Sequence, residues 1–418
     1  MSFATALSGL NAAANNLSVL GNNIANANTT GFKESRAEFA DAYASSIGAS
    51  STGGGASVAK DIQLFSQGTV NTTSNNLDMA INGGGFFTLS ASPTNPTNTQ
   101  SLVYSRAGAF EVNKDGLVVN PQGQALLAYT PKTAGGFNLG SLTTVSLNST
   151  TGGLPVSTTK VNLSVNLNAA SPPLPATTPF SPTDPNSYTN QSSTTIYDSL
   201  GSTHNLTTYF VAGASGNWTA YHYITDNPAA PVSVDTGGTP TTLTFNATGQ
   251  LTSTPTGALT PWTPVGSSVN PIALTMDYAG STQLASAFGV NSLTQNGVAA
   301  GSLTGVSVDS SGIILAKFSN GSSTPLGQVA LAMFINPQGL TQLGGTTWGQ
   351  SVDSGTAIPG SAGVGRFGSI QSSALEQSNV DLSQELVNLI AAQQAYQANS
   401  QSISTENKII ETIMNAFR

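Results

Sequence analysis

Apolar residues recur every seven positions at the start of the chain, at Phe3, Leu10, Leu17 and Ile24, while Leu7, Ala14, Gly21 and Asn28 hold the position four residues after each. A stripe at that spacing predicts a helix packed on another helix along a narrow seam. The same step returns at the far end, where Leu382, Leu389, Tyr396, Ile403, Ile410 and Phe417 alternate with Leu386, Gln393, Ser400, Asn407 and Met414. Ser378 and Asp381 stand where an N-cap is needed, and Glu385 complements the helix dipole in the first turn. A helix from Leu382 to Phe417 spans about 54 Å at the usual rise per residue, too long for a strut inside a small β domain.

Between the two ends the period shortens to two. Leu77 to Leu89 places two apolar runs around Gly83, Gly84 and Gly85, and the run LVYSRAGAFEVNKDGLVVNPQGQALLAY alternates, with turns at Asn113 to Gly116 and Asn120 to Gly123. The texture returns from Val298, with Asn320-Gly321 and a second NPQG at Asn336 to Gly339. A Pro-rich passage at Pro172 to Pro185 opens a further all-β block holding Trp218, Tyr221, Tyr223 and Phe245, which reads as a domain inserted into the first. The pattern predicts a mainly β, discontinuous multidomain chain, with coiled-coil-like terminal helices flanking nested all-β domains. Residues 1–32 and 372–418 form the helical core domain, 33–70 and 360–371 connect, 71–144 and 289–359 form an inner β domain, and 145–288 form the inserted outer one. The Gly/Ser-rich Ser50 to Ser57 marks the first connection as a linker.

Composition sharpens this picture. At 418 residues the chain has room for about three domains. Charged residues are 7% against a usual quarter, so the surface is polar through Ser, Thr, Asn and Gln. Net charge is −8, and no Lys or Arg falls between Val161 and Ala316, which excludes nucleic acid and an anionic membrane surface as main partners. No cysteine is present, which removes disulfides, thiolate zinc sites and cysteine nucleophiles together. No apolar run is long enough to span a bilayer. The first charge is Lys33, so the start MSFATALSGLNAAANN lacks the basic region of a secretory signal, and export is expected to be leaderless. Neither helix carries a charged face: none lies between Met1 and Phe32, nor between Glu385 and Glu406. Periodicity alone leaves an intramolecular hairpin and an intermolecular bundle evenly matched. The missing charged face favours a close-packed bundle of identical copies, where any charge would sit beside its own repeats.

NNIANANTTGFK (Asn22 to Lys33) and SNVDLSQELVNLIAAQQAYQANSQSISTENKIIETIMNAFR (Ser378 to Arg418) resemble the terminal signatures of the flagellar rod, hook and hook-associated family. LDMAINGGGFFTL, the YSRAGAF stretch, YDSLGSTHNLTTYF (Tyr197 to Phe210) and FNATGQL (Phe245 to Leu251) are similar to its internal motifs, and the last two separate hook members from rod members. Many relatives have Met where Leu389 or Ile390 stands and a basic residue where Gln394 stands, which leaves the helix register undisturbed. The block from Val145 to Phe288 is the most diverged. The resemblance implies a subunit that polymerises into a short, curved, hollow tube acting as a universal joint between motor and filament, with terminal helices inside and β domains outside. It also implies an extracellular place in the bacterial flagellum and export by the flagellar type III apparatus. The implied partners are other copies of itself in a helical homopolymer and the distal rod, hook cap and hook–filament junction proteins, with no nucleic acid and no membrane. The expected polymer seam is Phe3, Leu10, Leu17, Ile24, Leu382, Leu386, Leu389, Tyr396, Ile403, Ile410 and Phe417.

Catalytic readings are weak. His204 and His222 are the only histidines, and strand residues bonded locally explain them better than a metal site with Asp198 or Asp226 or a serine triad. Gly363, Gly365 and Gly368 spell GxGxxG without a βαβ context. The acids are too dispersed for a carboxylate pair. No enzyme, cofactor or metal is expected. Two other readings compete: a secreted adhesin or carbohydrate-binding protein, suggested by aromatics such as Trp218 and Trp262, and a distal rod protein of the same family.

Overall fold

A computed structural model of the chain describes residues 3–41, 55–92, 101–132, 135–147, 153–175, 179–264 and 269–416. The chain is mainly β between two terminal helices, α1 (Phe3–Ala25) and α2 (Leu382–Ala416). Asp381 caps α2: its carboxylate accepts from the Ser383 and Gln384 amides at 2.9 and 3.2 Å, which satisfies donors the helix itself cannot.

Two compact units make up the chain. The first contains residues 1–148, 305–316 and 325–418, and the second contains 149–304 and 317–324. In the first unit the described part of the expected linker contains two paired strands. β1 (Ser35–Asp41) and β2 (Ala56–Gln63) pair antiparallel from Ser35 opposite Gln63 to Asp41 opposite Ala56. The expectation of a flexible connection over 33–70 therefore fails for these residues, because Ala37 and Phe39 alternate with Arg36 and Glu38 as a strand requires. Of the Gly/Ser run, residues 50–54 lie outside the described residues. The short connection expected at 360–371 is also strand at both ends: Ile358–Ser361 pairs with Ser323–Met333, and Ser369–Ser372 pairs with β4 (Met79–Asn82), which follows β3 (Val70–Thr72).

β4 and β5 (Phe86–Ser90) flank the triple glycine as the sequence predicts. The sheet around β5 runs through Ser323–Met333, Ala125–Pro131, β5, β6 (Leu102–Ser105), Thr347–Gly349 and Thr341–Gly344. Its core packs Met79, Ile81, Phe87, Leu89, Val118, Leu126, Val329 and Leu331. A second cluster sets the Phe86, Tyr104, Phe334 and Trp348 rings edge-on, Tyr104 and Phe334 being 4.8 Å apart at 83°. The predicted turns close as Gly116 N–H to Asn113 C=O and Gly123 N–H to Asn120 C=O.

The second unit is a β-sandwich. One sheet centres on Lys160–Asn168, parallel to Thr275–Asp277 and Thr282–Leu284 and antiparallel to Gly289–Gln295. The other runs Asn190–Tyr197, Thr203–Ala212, Trp218–Ile224, Val232–Ser233, with Thr241–Leu243 also on the third strand. Alternate residues of both sheets, Val161, Leu163, Val165, Leu206, Phe210, Trp218 and Ala220 among them, fill one core. Pairing of Gly289–Gln295 with Lys160–Asn168 places residues 289–304 in this unit, not with the inner β residues as the pattern suggested. At the other boundary Val145 is buried in the first unit's core, its amide bonded to the Leu126 carbonyl.

Candidate functional site: the helix seam and its anchor

In α1 the buried positions are Ala6, Ala12, Ala13, Leu20 and Asn23, and in α2 they are Glu385 and Ala392. The helices run antiparallel, with Gly9 beside Asn399 and Asn23 beside Glu385. A Cβ on Gly9 would stand 2.9 Å from the Asn399 side-chain oxygen, so the closest approach depends on a residue without one. The buried side of α1 thus runs through Ala6, Ala13 and Leu20, small at the first two, again a step of seven but three places on from the apolar stripe.

The apolar stripe lies elsewhere. Phe3, Leu382, Leu386, Tyr396 and Ile410 are exposed, Leu386 by 45% and Ile410 by 48%. Leu10, Leu17, Ile24, Leu389 and Ile403 are half-buried, and Phe417 lies outside the described residues. Val387, Ile390, Ile409, Ile413 and Met414 add to the uncovered apolar surface of α2. The intramolecular hairpin exists, and it leaves many of the large apolar side chains exposed, above all on α2.

Where the helices meet the β region, charges are buried together. The Glu376 carboxylate, fully inaccessible, stands 2.6 Å from Lys33 Nζ through Oε1 and 3.3 Å from Arg106 Nη1 through Oε2. The Gly68 amide donates to Oε1 at 3.0 Å, and the Glu376 carbonyl accepts from the Gly31 amide at 2.8 Å. Lys33 also donates to the Ser66 carbonyl and Arg106 to that of Gly83. Asn379 accepts from the Glu34 amide and donates to the Leu64 carbonyl, both at 2.8 Å. Asn23, wholly buried, closes the helix side: it exchanges two bonds with the Ser35 backbone and donates to Glu385 at 3.3 Å. Burial pulls the Lys33 ammonium and the Arg106 guanidinium below their usual ranges, and Glu376 opposes that pull on both. Burial first, and then the neighbouring Glu385, push the Glu34 carboxyl up.

Sequence reasoning missed this cluster. The available signal was three charges, Lys33, Arg106 and Glu376, set among glycine, alanine and apolar neighbours in a chain with few charges. The candidates it did weigh resolve into structural roles. His222 is buried, with Nδ1 2.6 Å from Asp235 and Nε2 2.5 Å from the Tyr278 hydroxyl. His204 Nδ1 stands 2.6 Å from Asp226, and Nε2 lies 3.5 Å from Asp198. Among the described residues no three His, Asp or Glu are placed to hold a metal. Gly363, Gly365 and Gly368 do follow a strand, Ile358–Ser361, but lead into the strand Ser369–Ser372, so no helix N-terminus is present to take a phosphate. Trp218 is core, and Trp262, partly buried, packs against the core with its ring 4.9 Å from that of His204 at 78°.

Comparison with known proteins agrees with this architecture. Residues 3–33 match the flagella basal body rod protein family model, 80–166 the flagellar hook protein FlgE/F/G D1 domain, 162–298 the flagellar basal body protein FlaE D2 domain, and 371–416 the flagellar basal body rod FlgEFG protein C-terminal model. The D2 match covers most of the second unit and, like its pairing, includes residues 289–298. The chain is 40% identical over 423 residues to the flagellar hook protein FlgE of Escherichia coli, covering 99% of this chain and 100% of that one. It is 39% identical to the FlgE of Salmonella typhimurium over 420 residues, with coverage of 99% and 100%. In fold it is similar to the crystal structure of Helicobacter pylori flagellar hook protein FlgE2, with a TM-score of 0.52 at 16% identity, over 73% of this chain and 100% of that one. With terminal helices, two β units and near-complete coverage by hook proteins at this identity, the chain belongs to the flagellar hook protein FlgE family.

Proposed function

We propose that copies of this chain polymerise through the apolar faces of α1 and α2 into the curved, hollow tube of the bacterial flagellar hook, which passes motor torque to the filament. The observation carrying this reading is the uncovered apolar surface on a helix with no charge between Glu385 and Glu406. Burying each such side chain contributes about 1.5–3 kcal/mol, repeated at every subunit. The chain is exported through the flagellar type III apparatus and meets the distal rod at one end of the tube and the hook cap, then the hook–filament junction, at the other.

Leu386→Asp and Ile410→Asp test the seam. Both positions are exposed in a single chain, so neither change disturbs the helix pair, yet in the polymer each would bury an unpaired carboxylate. Secreted subunit should accumulate in the medium while hooks on cells disappear, and electron microscopy of concentrated mutant protein should show no tubes. Thr239→Asp, at an exposed turn of the second unit, should assemble normally. Normal hooks from the Leu386→Asp strain would show that the seam lies elsewhere.

A further inference from the structure

We propose that Glu376 is a latch that positions both terminal helices on the β region. The proposal rests on the polymer reading above. Among the described residues Glu376 is the one carboxylate paired with Lys33 or Arg106, and it lies 343 and 270 residues from them in sequence. Every stretch that joins a helix to the β region passes this point. The stretch after α1 arrives with Gly31 and Lys33, the stretch after β2 with Ser66 and Gly68, and the stretch before α2 with Glu376 and Asn379. The core built on Met79, Phe87, Leu126 and Leu331 is packed from apolar side chains, and of the three charges only Arg106 reaches it, through bonds to the Ile81 and Gly83 carbonyls. The β core therefore rests on its own packing, whereas the helices dock as a pair only when residue 376 is seated.

A buried carboxylate between two buried cations is not a bonus to stability that subtracts evenly. Removing one partner leaves the others uncompensated, and which partner is removed decides how badly. Glu376→Gln keeps the shape and leaves two buried cations facing each other. Lys33→Met leaves Arg106 and Glu376 as a balanced pair. The charge arithmetic thus predicts that Glu376→Gln is the severe change, Lys33→Met the mild one, and the double variant less impaired than Glu376→Gln alone. A residue that served only packing would give additive losses.

Full-length protein carries the test. Polymer formation is followed by sedimentation against concentration, trypsin cleavage after Lys33 and Arg36 is timed in the sedimented polymer, and melting of the β units is recorded separately. Glu376→Gln should raise the concentration needed for polymer by about a hundredfold and speed cleavage in what does sediment, with β melting unchanged. Adding Lys33→Met should recover part of that loss. Arg36→Gln, which breaks only the exposed pair with Glu38, should leave polymer formation and cleavage after Lys33 unchanged. Normal assembly by Glu376→Gln, a double variant worse than the single, or loss of the β transition would each overturn the latch. If the wild type forms no tubes, the polymer reading fails by itself. The latch is then judged by cleavage after Lys33 in the soluble chain, where equal rates in wild type and Glu376→Gln overturn it.

Discussion

Gly108, in the YSRAGAF stretch, shows how little freedom single positions have. A Cβ there would run into the Met79 carbonyl and stand 3.0 Å from the Phe87 ring, and Met79 is tied to the same spot through its amide bond to the Gly108 carbonyl. Gly108→Ala must push backbone apart and should destabilise the first unit by about 3 kcal/mol in a thermal melt; a loss below about 0.5 kcal/mol would mean the strands yield freely. Tyr278 makes a different case in the second unit. Burial raises its hydroxyl well above the ordinary tyrosine range, so the folded state holds the neutral form. Its contribution is complete below the ordinary pKa of about 10 and is lost as pH rises beyond it. The second unit's melting temperature should fall above pH about 10, and Tyr278→Phe should flatten that fall. The same variant should lose about 1–3 kcal/mol at neutral pH because His222 Nε2 is left without its partner. An unchanged alkaline slope in Tyr278→Phe would assign the loss to other tyrosines.

At the scale of elements, period and punctuation carried most of the information. The heptads of α1 and α2, the cap at Asp381, the strands on either side of Gly83 to Gly85 and both NPQG turns follow from spacing and turn residues alone. What spacing could not separate was which of two heptad stripes faces the chain's own partner helix. Phe3 and Leu10 are larger than Ala6 and Ala13, and size suggests the stronger seam, yet two helices of one chain close most tightly where side chains are small, at Ala6, Gly9 and Ala13. The β1–β2 pair was missed because a Gly/Ser run beside it reads as linker. The buried charges were missed because each partner is hundreds of residues away. The small-residue seam can be tested directly. Gly9→Leu adds a side chain against Asn399, and Ala13→Leu thickens a buried position. Both leave the exposed stripe intact. Both should part the helix pair, measured as a longer distance between spin labels at Ser18 and Gln394, and weaken assembly. Unchanged label distances would show that the pair tolerates a wider crossing.

At the scale of the molecule the first unit is the part that must survive if the second is exchanged. It has its own core, from Leu77 through Ile370, and it includes both helices and the Glu376 cluster. The boundary at 148/149 matters because Val145 is buried in that core and its backbone bonds to Val118 and Leu126. Replacing residues 149–304 by a short Gly/Ser linker should therefore leave a folded subunit that still polymerises, whereas starting the replacement at Val145 should cost about 2–3 kcal/mol of first-unit stability through the lost side chain and strand end. If the second unit supplies the contacts that bend the tube, the polymer from the 149–304 replacement should be straight, since the helix seam repeats identically for every copy and has no means of shortening one side. Electron microscopy of the two replacements separates the effects: straight tubes from the first and few or no tubes from the second. Wild-type curvature in the 149–304 replacement would place the source of bending in the first unit, at the helices or at the strands that join them to the β sheet.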